Sequence, residues 1–297
     1  MLIHDPAQLA ALAAVHRRGA FDLAAADLNV TPSAISQRIK ALEESIGSLL
    51  IRRGTPCRGT EAGLRLIRHH DEVALLERTL AQELGLASGP TSLRIAVNAD
   101  SLATWVIPAL AATRGFLYDL VIDDQDVSQD WLRRGEVVAA ITSHPGPLQG
   151  CDTLALGALR YHATASPGYV ARWFADGFKV EALTQAPTLT FSEKDRLQTQ
   201  WARARGLRRP VLPTHRIASS QAFVDACVAG LAWGMNPEPL VAQHLAAGSL
   251  VELQPGTSLD VALYWQFTRL AAPALQPVTK AVRHAAAKLL VPPPRPR

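Results

Sequence analysis

The sequence predicts an α/β chain of several domains: a helical head, a long connecting helix, then two α/β lobes. Three observations carry that prediction. Residues 6–90 keep a helical spacing of apolar side chains almost throughout, "ASGPTS" interrupts it, and beyond that point short apolar strands alternate with amphipathic helices. At 297 residues and 48% hydrophobic, the chain has enough apolar surface for more than one core.

Taken in order, "PAQLAALAAVHRRG" reads as a helix stopped by Gly19, and "AFDLAAADL" as a short helix whose Ala24 to Ala26 leave room for a close crossing. Asn29 then suits a tight turn. In "NVTPSAISQRIKALE", Thr31 is placed as N-cap and Pro32 at the first helical position, where its missing N–H costs nothing. Helical spacing puts Ile35, Ile39, Leu42 and Ile46 on one side, gathers Ser33, Ser36, Gln37 and Lys40 on the other, and leaves Arg38 at the flank. "LLIRRGTPCRGT" reads as two short cationic arms around a turn. The next stretch, Thr60 to about Ala87, spaces Leu66, Val73 and Leu80 seven apart, with Leu76 and Leu84 filling the stripe. That pattern suits a coiled coil with a second copy, or equally one helix packed on its own core.

Beyond the break, "SLRIAV", "SLATWVIPALAATRG", "YDLVIDD", "VSQDWLRRG" and "VVAAITS" form a βαβαβ succession, which predicts an open, largely parallel sheet. A second succession starts near Tyr161 with "TLTF", "DRLQTQWARARG", "HRIAS", "SQAFVDACVAG" and "LAWGM". The tail "VPPPRPR", residues 291–297, reads as disordered, because proline neither continues a helix nor donates to a sheet.

Composition narrows the function. No apolar run approaches the length of a membrane span and no cationic leader precedes an apolar core, so a cytoplasmic protein is expected. Cys57, Cys151 and Cys227 are far apart, odd in number and without a CxxC pair, which argues against disulfides or zinc. His144 and His162 stand isolated from any second metal ligand, so no metal is expected. No GxSxG, HExxH, GxxxxGK[ST] or GxGxxG occurs, so catalysis has no positive support. The net charge of +4 is mild, but residues 31–60 carry Arg38, Lys40, Arg52, Arg53 and Arg58 against Glu43 and Glu44, while residues 118–130 hold five aspartates and no cation.

The basic end reads as helix, short turn, helix, the unit that lays its second member in the major groove of DNA. Gln37 is the best base reader, with Thr31, Pro32, Ser33, Ser36, Arg38 and Lys40 beside it, and Arg52, Arg53 and Arg58 are placed as backbone contacts from a wing. The same spacing also fits a small helical domain with an exposed polar face.

"FDLAAADLNVTPSAISQRIKALEESIGSLLIRR" followed by "RGTEAG" closely resembles the winged helix-turn-helix head of LysR-type transcriptional regulators. "VNADSLATW", "DDQDVSQDWLRRG", "LGALRYHATASPGY" and "AGLAWGMNPEPL" resemble the ArgP/LysG branch, regulators that sense basic amino acids and control their export. One departure is Gly59, where that branch more often carries alanine or leucine, an exchange expected to loosen the wing. The resemblance implies a winged head over residues 1–59, a linker and dimerisation helix over 60–90, and a two-lobed effector domain over 91–297 similar to periplasmic binding proteins. Lobe I would take 91–160 and 268–290 and lobe II 161–267, with crossings near Arg160 and Phe267.

In open α/β sheets ligands sit beyond the carboxyl ends of strands, which selects the loops "NADSLATW", "DDQDVS" and "TSHPG". Ser101 and Thr104 are expected at the α-carboxylate of an amino acid, Asp124 with Gln125 at its cationic end, Thr142 in the third loop, Ser192 or Asp195 on the facing lobe, and Trp105 as a wall. Each has a plainer role open to it: capping or turn formation for the serines and aspartates, core packing for Trp105. The expected protein is a homodimer or homotetramer that binds promoter DNA, works with RNA polymerase, needs no cofactor and responds to L-lysine, arginine or histidine. Rival readings are a nucleoid or replication-origin protein without effector control, or a solute-binding α/β protein whose head only oligomerises.

Overall fold

The computed structural model describes residues 5–86, 89–122, 128–146 and 148–293. Asp5 caps α1 (Pro6–Arg18) by accepting the Ala7 N–H at 2.9 Å, and Gly19 closes it at φ +73°. In α2 (Phe21–Asp27), Ala24 and Ala25 are buried, so α3 (Pro32–Ile46) crosses without a side chain in the way. Asn29 makes the turn at φ +52°, a region asparagine tolerates better than most residues. Thr31 caps α3 as expected, its hydroxyl accepting the Ala34 N–H at 3.2 Å. The antiparallel wing pairs β1 (Ile51–Arg52) with β2 (Arg58–Gly59). Leu12, Val15, Ile35, Ile39, Leu42 and Leu50 form the core of the head.

The linker helix α4 (Glu61–Glu83) starts against that head. Its expected stripe divides. Leu66 packs on the head core, Leu75 and Arg78 are buried, and Leu76, Leu80 and Leu84 remain 43%, 55% and 63% exposed. Arg78 reaches the Gly115 carbonyl and bonds the Thr91 hydroxyl at 3.1 Å, tying the far end of the helix to the next domain.

That domain opens with β3 (Thr91–Val97), then α5 (Ala99–Ser101), a π-helical turn (Leu102–Val106) and α6 (Ile107–Ala111), so one expected helix is interrupted in its middle. β4 (Phe116–Ile122) and β5 (Ala139–Thr142) pair parallel to β3 on either side, with α7 (Ser128–Arg134) between them in sequence. The long β6 (Cys151–Ala165) carries the chain out of this lobe. There follow α8 (Pro167–Trp173), β7 (Thr188–Thr190), α9 (Leu197–Ala204), β8 (Thr214–Arg216), α10 (Ser220–Val228), β9 (Gly234–Pro237), α11 (Glu238–Ala247) and β10 (Val251–Glu252). β11 (Leu259–Thr268) returns the chain, and α12 (Ala272–Leu289) packs on the first lobe.

Three expectations need correction. The sheet is not largely parallel: β11 runs antiparallel to both β5 and β6, and β6 is antiparallel to β9 and β10, because two strands crossing between lobes in opposite senses must pair that way. The return crossing is not at Phe267, which already pairs with Ala139 of the first lobe; it lies at the other end of β11, where Asp260 faces Arg160 in a bidentate ion pair of 2.8 and 2.9 Å. The tail does not leave the fold at 291, since Val291 exchanges two backbone hydrogen bonds with Ala158. Four tryptophans, Trp105, Trp201, Trp233 and Trp265, are fully buried and dominate the main core.

Candidate functional site

Two sites emerge, one on the head and one in the cleft between lobes. On α3, Ile35, Ile39 and Leu42 face the core, while Ser33, Gln37 and Lys40 are exposed and Ser36 and Arg38 half-buried. The polar face is therefore presented outward, as the spacing predicted. Thr31 and Ser33 share a hydroxyl contact of 2.9 Å, and Lys40 lies 3.8 Å from Glu44, a solvent-exposed pair of little energetic weight. On the wing, Arg53 stacks over Phe21 at 5.4 Å, Arg58 donates to the His16 carbonyl at 3.4 Å, and Arg52 is exposed.

Gly59 is not loose. Its N–H donates to His16 Nδ1 at 3.2 Å and it pairs with Ile51, so the wing is pinned to α1. The bond needs a neutral imidazole. Burial first, then the charge of Arg94, pushes the His16 pKa below its ordinary 6.5. A group whose folded pKa is depressed takes up protons more readily when unfolded, so stability rises with pH across this window and is lost as pH falls from 6.5 through the lowered value. His70 shifts the same way, also by burial. Melting curves of His16→Gln between pH 7 and 5 are therefore expected to show a shallower loss of midpoint than the wild type, with the His70 share remaining; equal slopes would remove His16 from the account.

The cleft holds a small cavity of about 50 Å³, lined by Asn98, Ala99 and Asp100 from the first lobe and by Phe191, Asp195, Leu197, Ser220, Phe223, Met235, Asn236 and Pro237 from the second. Asp100 is the hub. One carboxylate oxygen accepts the Ser220 hydroxyl at 2.6 Å and the other the Tyr161 hydroxyl at 2.8 Å, so one side chain bridges the lobes. Asp195 accepts the N–H groups of Phe191 at 2.9 Å and Leu197 at 3.0 Å, yet burial outweighs them and pushes its carboxyl upward. Asn236 is fully buried; its amide donates to Thr164 at 2.8 Å, and its carbonyl oxygen has no hydrogen-bond partner among the described residues. Asp100, Asp195 and the Asn236 amide place acceptor oxygens around the cavity, an arrangement that suits a ligand carrying N–H donors. Phe191, Leu197, Phe223 and Met235 supply apolar walls for an aliphatic stem.

Of the described residues expected here, Asp195 lines the cavity, and Ser101, Thr104, Trp105, Thr142 and Ser192 are not among its lining residues. Ser101 is fully buried, its hydroxyl without a hydrogen-bond partner among the described residues, and Thr104 donates its hydroxyl to the Asp100 carbonyl at 2.6 Å. Trp105 is buried in the main core and is not among the residues that line this cavity. Thr142 is fully buried and accepts the His144 N–H at 3.2 Å; Ser192 accepts the Lys194 N–H at 3.1 Å in its own turn. Asp124 and Gln125 lie outside the described residues. Asp100 was missed although it neighbours Ser101 in the same loop, since a hydroxyl was sought where a carboxylate stands. Ser220 and Asn236 had no local signal. His162, isolated in sequence, is set 3.5 Å from Glu238 and 3.2 Å from Glu252 by strand pairing, but no metal-holding cluster occurs among the described residues. The three cysteines are free and buried, and burial pushes Cys227 up to about 12. Among the described residues no helix is long and apolar enough to cross a membrane.

Comparison with known proteins gives the family. Residues 6–64 match the bacterial regulatory helix-turn-helix protein, lysR family, and residues 86–287 match the LysR substrate binding domain. The HTH-type transcriptional regulator LysG of Mycobacterium tuberculosis is 44% identical over 96% of this chain and 94% of its own length. The HTH-type transcriptional regulator ArgP of Pseudomonas aeruginosa is 41% identical over 94% of this chain and 95% of its own. Among solved structures, ArgP from Mycobacterium tuberculosis superposes with a TM-score of 0.82 at 43% identity, covering 97% of this chain and 99% of that one. Full-length LysG from Corynebacterium glutamicum with bound effector Arg gives 0.71 at 35% identity, covering 97% and 100%. These relatives are transcription regulators and not enzymes. With a capped reading helix, a wing and an acidic two-lobed cleft on one chain, the protein belongs to the LysR family of DNA-binding transcription regulators and is of the LysG/ArgP type.

Proposed function

We propose that this regulator's hold on DNA is set by a basic amino acid bound between its lobes, and that it controls a gene for amino-acid export in the cytoplasm. What supports the reading is the cavity lining, which sets the Asp100 carboxylate and the buried Asn236 amide beside apolar walls. A cationic head would meet Asp100 while its methylene stem lies on Phe191, Leu197, Phe223 and Met235. Asp124, with Gln125 next to it in sequence and outside the described residues, is a second candidate carboxylate. L-lysine is the first choice of effector; the arginine held by the Corynebacterium glutamicum relative makes arginine the direct competitor, with histidine third.

The exposed Leu76, Leu80 and Leu84 fit pairing of α4 with a second copy, and two such dimers would make a tetramer. Two heads on a dimer would read a dyad-symmetric promoter site alongside RNA polymerase. Effector binding that closes the lobes would move Gly115 and Thr91, to which Arg78 ties α4, and so reposition the heads. Bending DNA by tens of degrees costs a few kcal/mol, a scale that the differential binding of one ligand can offset.

The test is binding of full-length protein to the intergenic DNA beside its gene, with lysine, arginine and histidine added in turn. A footprint altered by a basic amino acid and not by glutamate supports the reading; one indifferent to all of them sinks it and leaves a nucleoid-type binder. On the DNA side, Gln37→Ala is expected to reduce discrimination between this DNA and random DNA by about 1–3 kcal/mol, whereas Arg53→Ala weakens both alike and lowers the salt slope by about 1. Gel shifts at several salt concentrations check both, and equal loss of discrimination in the two variants would refute the division of roles.

A further inference from the structure

Between Asp195 and Asp225 the chain carries Arg196, Arg203, Arg205, Arg208, Arg209 and Arg216 and no acidic residue. These six exceed the net charge of the whole chain, +4, so the remainder is on balance acidic. The segment lies on the second lobe, far in sequence from the reading head. Arg216 pairs with Glu193 at 2.8 Å. Among the described residues the other five have no ion pair, and Arg203, Arg208 and Arg209 are exposed. Arg205 is half-buried with its Nε lacking an acceptor.

The display is held in place. Arg203 occupies the last turn of α9, Gly206 reverses the chain at φ +106°, and Leu207 and Leu212 pack on the main core. Pro210 and Pro213 stiffen the approach to β8, the Thr188 N–H donates to the Pro213 carbonyl at 2.8 Å, and the Thr214 hydroxyl donates to the Leu212 carbonyl at 2.8 Å. Like charges close in sequence on an anchored segment repel one another, and a partner with negative charge relieves that cost. Guanidinium forks match phosphate oxygens, and a row of them suits a partner whose phosphates repeat at fixed intervals. The chain already holds one such partner through its head.

We propose that this arginine segment is a second DNA-backbone contact, gripping duplex outside the stretch read by the recognition helices. It contributes affinity and salt dependence but no base specificity. The experiment compares full-length wild type with R208E/R209E on two duplexes: a short one confined to the site read by the heads, and a long one extending well beyond it. The variant is expected to bind the short duplex as before and to lose affinity on the long one, with the salt slope there falling by roughly 0.9 for each phosphate no longer neutralised. R203Q is expected to give a smaller loss in the same direction. Unchanged melting midpoint and amino-acid binding show that the variants fold. Wild-type affinity and slope on the long duplex overturn the proposal. So does equal weakening on both duplexes, which places the effect in the head or in assembly. Intact DNA binding with loss of transcription by purified polymerase also overturns it, and points to an acidic protein surface as the partner.

Discussion

Asp100→Asn is expected to weaken binding of a basic amino acid by roughly tenfold to a hundredfold, the scale of a lost charge-assisted hydrogen bond, while leaving DNA affinity intact. The substitution keeps the shape and one acceptor, so either Ser220 or Tyr161 retains its partner across the cleft. What disappears is the charge. Asp195 does not replace it, because that carboxylate is committed to the N–H groups of Phe191 and Leu197 and burial already works against its ionisation. Calorimetry with lysine and arginine gives the affinity, and a gel shift without effector gives the control. Unaltered amino-acid affinity would remove Asp100 from the site and return attention to Asp124.

Gly63→Ala is expected to cost the head about 3 kcal/mol or more and to abolish promoter binding at ordinary salt. A Cβ at this position would stand 2.1 Å from the Leu50 carbonyl oxygen, far inside any real contact. The carbonyl has no room to give: it accepts the Thr60 N–H at 2.9 Å, and the Leu50 N–H donates to the Glu43 carboxylate at 2.7 Å. α4 must therefore shift away from the wing, separating the reading head from the helix that positions it. Leu50 itself is fully buried, so the shift also opens the head core. Thermal unfolding together with gel shift measures both losses. Amino-acid binding in the cleft should survive, since Asp100, Ser220 and Asn236 lie in the other domain. A variant with wild-type midpoint and DNA affinity would show that the helix can move at no cost.

What the sequence determined by itself is the reading head. Thr31, Pro32 and the Ile35, Ile39, Leu42 spacing lie within a few turns of one another, so capping and periodicity specify α3 from short-range interactions alone. The alternation of strands and helices was legible for the same reason, and so was the end of β3 as a place to look for a cavity. Membership of that site was not. Asp100 meets Tyr161 across 61 positions and Ser220 across 120, and which face of β6 points into the cleft depends on its register with β9 and β11. Trp105 and Thr142 are buried, a degree of enclosure that long-range packing sets and loop chemistry does not reveal. The order of the lobes, the Asp260 crossing and the pairing of Val291 with Ala158 likewise followed from two strands running in opposite senses between domains. Local hydrogen bonding and side-chain spacing are written along the chain, whereas a cleft is assembled from segments brought together only when the long strands pair.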